Sequence, residues 1–524
     1  MQVHDLLFAS ADRTPRAPYL WDRGEWWSFE AVAGRALAVA RLLTEECGLR
    51  RGAHVALVSP NSADAVAAFF GVLAAGGVAV SLPTDLGADR LAALLNHSES
   101  QALIADRKTF ARVRSAFAHT PGVRTVLALG DSRIGDGGGL PATAGTARVV
   151  TLSGEAATGS HLPVRTIDAD LAAIIYTSGS TGTPKGVMLS HLNLVSNMRS
   201  IVTYLSLTGC DSVMMVLPHY YIYGLSLLLT HAMVGGSVVM DNRFAYPDTV
   251  LENMVETRVT GFAGVPSTFA MLAARSNLEQ MTFPSLRYVT QAGGAMPVPL
   301  QKRVAAAFAP AELFVMYGAT EAAPRLSYVE PAELRWKWGS IGRPVPNVDL
   351  YVADEAGKRL PPGTEGEIVA RGSNIMQGYW RDPAGTEEVL RGGVYRTGDL
   401  GYEDEAGYFY ITGRARDILK VRGFRVSPRD IEEVLAADSE VAEAAVVGTD
   451  DELLGEVPVA FVVPRDASPA FAELLAGRLR TAVEGRLPSY MVPKQVRCVP
   501  SLPHTSSGKV DKRALRDLLS TTNA

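Results

Sequence analysis

The stretch Tyr176-Thr-Ser-Gly-Ser-Thr-Gly-Thr-Pro-Lys-Gly-Val187 decides how the rest of the chain is read. Ile174 and Ile175 ahead of it are apolar and β-branched, so a buried strand runs in. Ser190-His-Leu-Asn193 and the periodic residues after it predict a helix starting just beyond. Between the two lie small hydroxylated residues, glycines and Lys185. Such a loop turns many backbone N–H groups and hydroxyl donors toward one anion. Glycine lets the backbone come close, and the lysine adds a positive charge. A phosphate chain is the natural guest. The spacing is not that of the G-x-x-x-x-G-K-[ST] loop: counted from Gly179, the second glycine would fall where Pro184 stands, and Gly186 follows the lysine.

Outward from this loop, a chain of 524 residues exceeds one hydrophobic core, so two or more domains are expected. Hydrophobic residues at 47% and charged residues at 20% are the balance of a soluble globular protein. A net charge of −5 argues against non-specific nucleic-acid binding. Cys47, Cys210 and Cys498 form no metal or redox spacing, and the N-terminus shows no charged-then-apolar signal pattern, so a reducing cytoplasm is expected. Ala65 to Leu82 is apolar throughout, but Gly76-Gly77 splits it. The expectation there is a buried helix followed by the buried strand Val78-Ala-Val80, with no membrane span.

Residues 28–45 open with a Ser cap and show helical periodicity, and His54-Val-Ala-Leu-Val58 reads as a buried strand. Helix and strand alternate from there, which predicts a largely parallel sheet. Residues 130–162, rich in Gly, Ala, Ser and Thr without apolar period, read as a mobile surface excursion. Alternation resumes at Leu171 and runs to about Leu350. Asp349-Leu-Tyr-Val-Ala353, Gly366-Glu-Ile-Val-Ala-Arg371 and Gly407-Tyr-Phe-Tyr-Ile411 predict short strands of a small β subdomain. After Gly413 the pattern changes to a strand and turn, a helix over 428–437, strands near 441–448 and 457–463, and a helix near 469–484. The fold class expected is α/β: a large N-terminal domain (1–413) of mixed, mainly parallel sheets with helices plus the β subdomain, and a small mobile α+β C-terminal domain (414–524).

The loop string resembles the phosphate loop of the adenylate-forming enzymes: acyl-CoA synthetases, aryl-CoA ligases, firefly-type luciferases and peptide-synthetase adenylation domains. The resemblance covers nearly the whole chain, because further markers recur in order down to Lys509. It implies ATP and Mg²⁺. Thr177, Ser178, Gly179, Ser180, Thr181, Gly182, Thr183 and Lys185 would hold phosphates, with Thr177 also at the metal. Gln291-Ala-Gly-Gly-Ala295 follows the apolar strand 286–290, and the family pattern makes Gly293, Gly294 and Ala295 the adenine floor. In Met316-Tyr-Gly-Ala-Thr-Glu-Ala322, Tyr317 would stack on adenine beside Gly318 and Ala319, Thr320 would donate to phosphate, and Glu321 would offer a hard oxygen to Mg²⁺. Asp399 of Tyr395-Arg-Thr-Gly-Asp399 resembles the ribose clamp, and Arg414 a second nucleotide contact. Arg416 occupies the hinge position and Gly423 the wall of the pantetheine tunnel. Lys509, in Leu502-Pro-His-Thr-Ser-Ser-Gly-Lys-Val510, resembles the lysine that enters the site for adenylation.

Leu217-Pro-His-Tyr-Tyr-Ile-Tyr-Gly-Leu225 resembles the acyl-pocket wall. Acyl-CoA ligases place a gating histidine where this chain has Tyr221, so the gate falls to Tyr221 or to His219. The expected pocket is Tyr220, Tyr221, Tyr223, Gly264, Val265, Gly293, Ala319 and Ala323, apolar or aromatic and suited to an uncharged aliphatic or aryl tail. Amino-acid adenylation domains carry an Asp in this segment for the α-ammonium. Residues 217–230 contain no Asp or Glu, so α-amino acids are disfavoured. The function implied is ATP-dependent activation of a carboxylic acid as acyl-adenylate, then transfer to a thiol. CoA is the first choice and the phosphopantetheine of a separate carrier protein the second, since only fifteen residues follow Lys509. Enzymes that load a carrier protein with an amino or otherwise substituted acid, and luciferase-like oxygenases, share the same markers.

Overall fold

In the computed structural model the described residues are 1–129, 142–151, 164–177, 184–415, 417–421, 424–451, 455–466, 468–505 and 509–522. Two nine-stranded sheets face each other across a shared layer of helices. One sheet runs Arg343–Pro344, Ser327–Val329, Glu312–Tyr317, Tyr288–Gln291, Gly261–Gly264, Ser212–Met215, Ser237–Met240, Pro18–Asp22, Glu25–Ser28. The other runs Gly378–Tyr379, Lys185–Ser190, Leu171–Thr177, Val78–Ser81, His54–Val58, Ala102–Asp106, Thr125–Leu129, Ala147–Thr151, Thr143–Ala144. In both, the central strands are parallel and the outermost antiparallel. The alternation of helix and strand dictates this, because each parallel return needs a crossover.

The shared layer holds Phe29–Arg41, Ala63–Ala74, His191–Leu205 and Ile222–Val234. Ala63–Ala74 is apolar almost all round because it touches strands of both sheets, and Ile222–Val234 because it lies between the first sheet and the helices Asp5–Arg13 and His191–Leu205. The apolar run from Ala65 is therefore a core helix of 12 residues and a buried strand, and no helix among the described residues is long and apolar enough to cross a membrane. The outer faces carry separate cores: Pro247–Glu256, Pro266–Arg275 and Val298–Ala307 cover the first sheet, Ala88–His97 and Arg107–Val113 the second. A five-stranded antiparallel sheet gathers Val348–Ala353, Gly366–Gly372, Leu390–Arg391, Val394–Glu403 and Phe409–Arg414. Another five-stranded sheet begins at Leu419 and packs on Pro428–Ala436, Pro469–Glu484 and Lys512–Thr522.

Two expectations need correction. The predicted strand–loop–helix at the phosphate loop is a strand–loop–strand. Leu171–Thr177 pairs antiparallel with Lys185–Ser190, Lys185 standing opposite Thr177, and the helix starts only at His191. The Ser190 cap is real and sits at the end of that second strand, which the cap signal hides. The excursion expected over 130–162 is interrupted by a hairpin: Ala147–Thr151 extends the second sheet parallel to Thr125–Leu129, with Thr143–Ala144 folded back on it. Arg148-Val-Val-Thr151 is too short a β-branched run to stand out between low-complexity flanks.

Asn193 ties the hairpin to the rest. Its Oδ1 accepts from the Ser190 N–H at 2.8 Å while Ser190 Oγ accepts from the Asn193 N–H, a reciprocal cap. Its Nδ2 donates to the carbonyls of Ser373 and Ile375, both at 2.8 Å. Asn193→Ala removes all of these from a buried place, and we expect a loss of about 2–4 kcal/mol, a cap plus stranded buried groups. The check is a thermal melt: the midpoint falls by several degrees, Asn193→Asp falls less, and an unchanged midpoint for the alanine variant refutes the tie.

Candidate active site

The parallel strands of the first sheet end together, and the residues after them form one floor. Gly264 ends its strand opposite Gln291, and Gln291 lies opposite Val315 in the next. Beyond Gln291 the chain turns through Gly293, whose φ of +88° favours glycine, with Val265 beneath it. Gln291 Nε2 donates to the Gly294 carbonyl at 2.9 Å and fixes the turn next to Ala295. Beyond Tyr317, Gly318 is obligatory: a Cβ there would lie 1.8 Å from the Pro324 carbonyl oxygen. Ala319 precedes a single helical turn, Thr320–Ala322, and Ala323 is fully buried after it.

Asp399 meets this floor from the antiparallel sheet. The Tyr317 hydroxyl donates to Asp399 Oδ2 at 2.6 Å and Arg414 Nε donates to Oδ1 at 2.8 Å. Asp399 and Arg414 are also register partners in that sheet. Burial, then the Asp399 charge, raises the Tyr317 phenol well above its ordinary value, while Asp399 raises Arg414. Tyr317 is thus a fixed neutral donor and Arg414 a fixed cation.

On the other flank, Tyr379 joins two predicted residues. Its hydroxyl donates to Glu321 Oε1 at 2.8 Å, and Lys185 Nζ lies 4.5 Å above its ring and 3.6 Å from Asp382 Oδ2. Gly378–Tyr379 pairs with Val187 and Met188, which is what brings them together. Ser178 to Thr183, Arg416 and Gly423 lie outside the described residues, and Thr177 ends the strand that leads into the phosphate loop.

The last predicted element arrives from the C-terminal sheet. His504 and Val510 form a bridge, and the Thr505 N–H donates to the Lys509 carbonyl at 2.7 Å, so Lys509 stands on a closed turn. The residue as a whole is exposed. Burial lowers its pKa and Arg414 lowers it further, while Asp399 and Glu321 oppose them. Lys509 therefore stands within electrostatic reach of Arg414, Asp399 and Glu321.

On the acyl side, Tyr220 and Tyr221 pack edge to face at 4.8 Å and both are half-buried. Tyr223 is buried and its hydroxyl bonds Thr290, to the carbonyl at 3.0 Å and Oγ1 at 2.9 Å. His219 is 1% exposed, its backbone N–H and ring Nδ1 both on Asn61 Oδ1, and burial drops its pKa to about 4. It is a neutral, pinned core histidine, and of the two gate candidates only Tyr221 reaches solvent. Behind Tyr223, Arg325 lies over its ring at 4.2 Å.

Residues 7–380 match the AMP-binding enzyme family, and residues 430–509 match the AMP-binding enzyme C-terminal domain. The chain belongs to the AMP-binding enzymes. A long-chain-fatty-acid–CoA ligase of Escherichia coli O6:H1 is 32% identical, covering 98% of this chain and 94% of its own length. A feruloyl-CoA synthase of Amycolatopsis sp is 33% identical, over 97% of this chain and 96% of its own. Among solved structures, ATP-bound MatB from Rhodopseudomonas palustris superposes with a TM-score of 0.86 at 28% identity, each chain fully covered.

Within this AMP-binding enzyme, sequence reasoning missed Tyr379 and Arg325. Tyr379 carries no local signal, since its partner Glu321 is 58 residues away. Arg325 had one: a charged residue directly after the small apolar run Ala322-Ala-Pro324.

A lowered pKa means that Lys509 is more often neutral at a given pH than an ordinary lysine, and so reacts sooner with an acylating reagent. Competitive labelling of the ligand-free enzyme against pH, read by mass spectrometry, should give a midpoint for Lys509 below the usual ~10.4. Glu321→Gln, which removes a charge that raises the value, should move it lower still. A midpoint at or above the usual value contradicts that lowering.

Proposed function

We propose that the chain is an acid–CoA ligase. It joins a carboxylate to the α-phosphate of ATP, releasing pyrophosphate, and then passes the acyl group to the thiol of CoA, releasing AMP. The observation that carries this reading is Asp399, held by Tyr317 and Arg414 where the strand ends of the first sheet meet the antiparallel sheet, with Glu321 fixed by Tyr379 on the same floor. CoA ligases are also the relatives that match along their whole length.

Each residue then has a task. Asp399 takes the ribose hydroxyls, and Tyr317, held by its hydroxyl, offers its ring to adenine over Gly293, Gly294 and Ala295. Lys185 and the loop 178–183 hold the outer phosphates. The substrate carboxylate is ionised at neutral pH and needs no base. Its oxygen attacks the α-phosphorus as the bond to pyrophosphate breaks, and Lys509 and Thr320 balance the charge that gathers on the phosphoryl oxygens. In the second step the CoA sulfur attacks the acyl carbon, loses its proton, and AMP departs with the bonding pair.

Glu321 suits Mg²⁺. It is a hard carboxylate whose Oε1 is oriented by Tyr379, and no cluster of three or more His, Cys, Asp or Glu among the described residues offers a cage of its own. That is the donor set of an ion shared with phosphates, with Thr177 as a further oxygen. When bound, the ion neutralises phosphate charge. Lys509 would block the thiol, so residues 414–524 move as a unit about Arg416 between the two steps. Cys47, Cys210 and Cys498 are all free thiols, and we place the enzyme in the cytoplasm.

Pyrophosphate release across aliphatic, aryl and amino acids, with and without CoA, tests the assignment: release without CoA and thioester with it are expected, and little from α-amino acids. Lys509→Ala should slow ATP–pyrophosphate exchange by about 10²–10³, the loss typical of one charge-stabilising donor, while thioester formation from supplied acyl-adenylate survives. An equal fall in both half-reactions would take Lys509 out of the adenylation step.

A further inference from the structure

Two backbone N–H groups at Asp399 are satisfied by side chains, because the strand that carries it is bulged there. Glu367 of Gly366–Gly372 faces Leu400, while Val369, two residues on, faces Arg396. Thr397, Gly398 and Asp399 therefore stand opposite Ile368 alone, and a regular ladder cannot serve all three. Gly398 makes the turn with a φ of +74°. Its N–H donates to Glu367 Oε1 at 3.0 Å, and the Asp399 N–H donates to Thr397 Oγ1 at 3.0 Å. That hydroxyl donates in turn to the Ile368 carbonyl at 2.6 Å. On its other side the Gly398 carbonyl accepts from the Ala415 N–H at 2.9 Å.

Glu367 is built to hold this bulge. Its side chain is mostly buried, at 14% exposed, and Oε2 accepts from Arg396 Nε at 2.7 Å. The Arg396 pair fixes the carboxylate from one side and leaves Oε1 aimed at Gly398. A carboxylate on a backbone N–H is a charge-assisted bond, stronger than the neutral ladder bond it replaces. Tyr317 and Arg414 grip the carboxylate of Asp399, but the place of its backbone is set by the bulge. Without Glu367 the Gly398 peptide would be held at its carbonyl only, and a shift of the peptide passes directly to Asp399, the next residue.

We propose that Glu367 is a positioning residue for the nucleotide: through the Gly398 N–H it sets the bulge that presents Asp399 to the two ribose hydroxyls of ATP. The proposal rests on the place given to Asp399 in the acid–CoA ligase reading above. Glu367 itself touches neither the ribose nor the reacting atoms, and acts only by fixing where Asp399 stands.

The test titrates the full chain with ATP and with 2′,3′-dideoxy-ATP, which lacks both hydroxyls, and reads the ratio of the two Kd values by calorimetry. A ratio of two ligands on one preparation does not depend on how much of it is folded, so a loss of stability alone leaves it unmoved. The unmodified enzyme should prefer ATP by about ten- to a hundredfold, the scale of hydrogen bonds to a charged group. Glu367→Ala should cut that preference about tenfold. Glu367→Gln, which keeps an acceptor for the Gly398 N–H, should restore most of it. If the alanine variant does not fold, Glu367→Asp decides: one methylene shorter, it keeps the charge but withdraws from Gly398, and should lower the preference too. An unchanged ratio in the alanine variant, or in the aspartate variant where that one decides, overturns the proposal. So does an unmodified enzyme that binds both nucleotides equally. Pyrophosphate release is measured alongside: its absence with every acid would sink the ligase reading, while the binding ratio still decides the role of Glu367.

Discussion

One carboxylate holds the architecture of the site together. Asp399 is 5% exposed, and a buried carboxylate survives only where charge and hydrogen bonds satisfy both oxygens. Here one oxygen takes the Tyr317 hydroxyl from the end of a parallel strand, and the other takes Arg414 from the last residue of an antiparallel one. Three strands from two sheets must therefore meet within hydrogen-bond distance of a single side chain. The register pairing of Asp399 with Arg414 makes half of this automatic. The other half, the approach of Tyr317, depends on the antiparallel sheet docking against Ala322, Leu326 and Ile375 in a common core.

That docking explains why the chemistry collects where it does. Parallel strands deliver their following loops to one edge of a sheet, and Gly264, Gln291 and Tyr317 share such an edge. Ala63–Ala74 packs on strands of both large sheets, so neither sheet can slide past it without opening the shared core. Glu321, on the loop after one strand of the first sheet, is thereby fixed relative to Lys185, at the start of a strand in the second, with Tyr379 as the rigid link.

Much of this was legible in the sequence, because period and punctuation are local signals. Ser28 caps a helix at its expected place, the Gly76-Gly77 break separates helix from strand, and the strand ahead of the phosphate loop follows from Ala173-Ile-Ile-Tyr176. What escaped depends on partners distant in the chain. Lys185–Ser190 is a strand because Leu171–Thr177 and Gly378–Tyr379 lie on its two sides, and its six residues say little by themselves. His219 and Tyr221 are equivalent as letters. The Asn61 amide, 158 residues away, makes His219 a pinned core residue, while Tyr221 is half-buried.

Arg325 shows the same limit. On the sequence it reads as one more charged residue after a turn, with nothing to separate it from a solvated side chain. In the fold it is buried over the Tyr223 ring, with a sulfur contact to Met316 and the Tyr204 hydroxyl beside it. Its backbone is held from both sides by Asn197 and Asn374, 128 and 49 residues away in the chain, and partners so distant leave no mark on the letters around position 325.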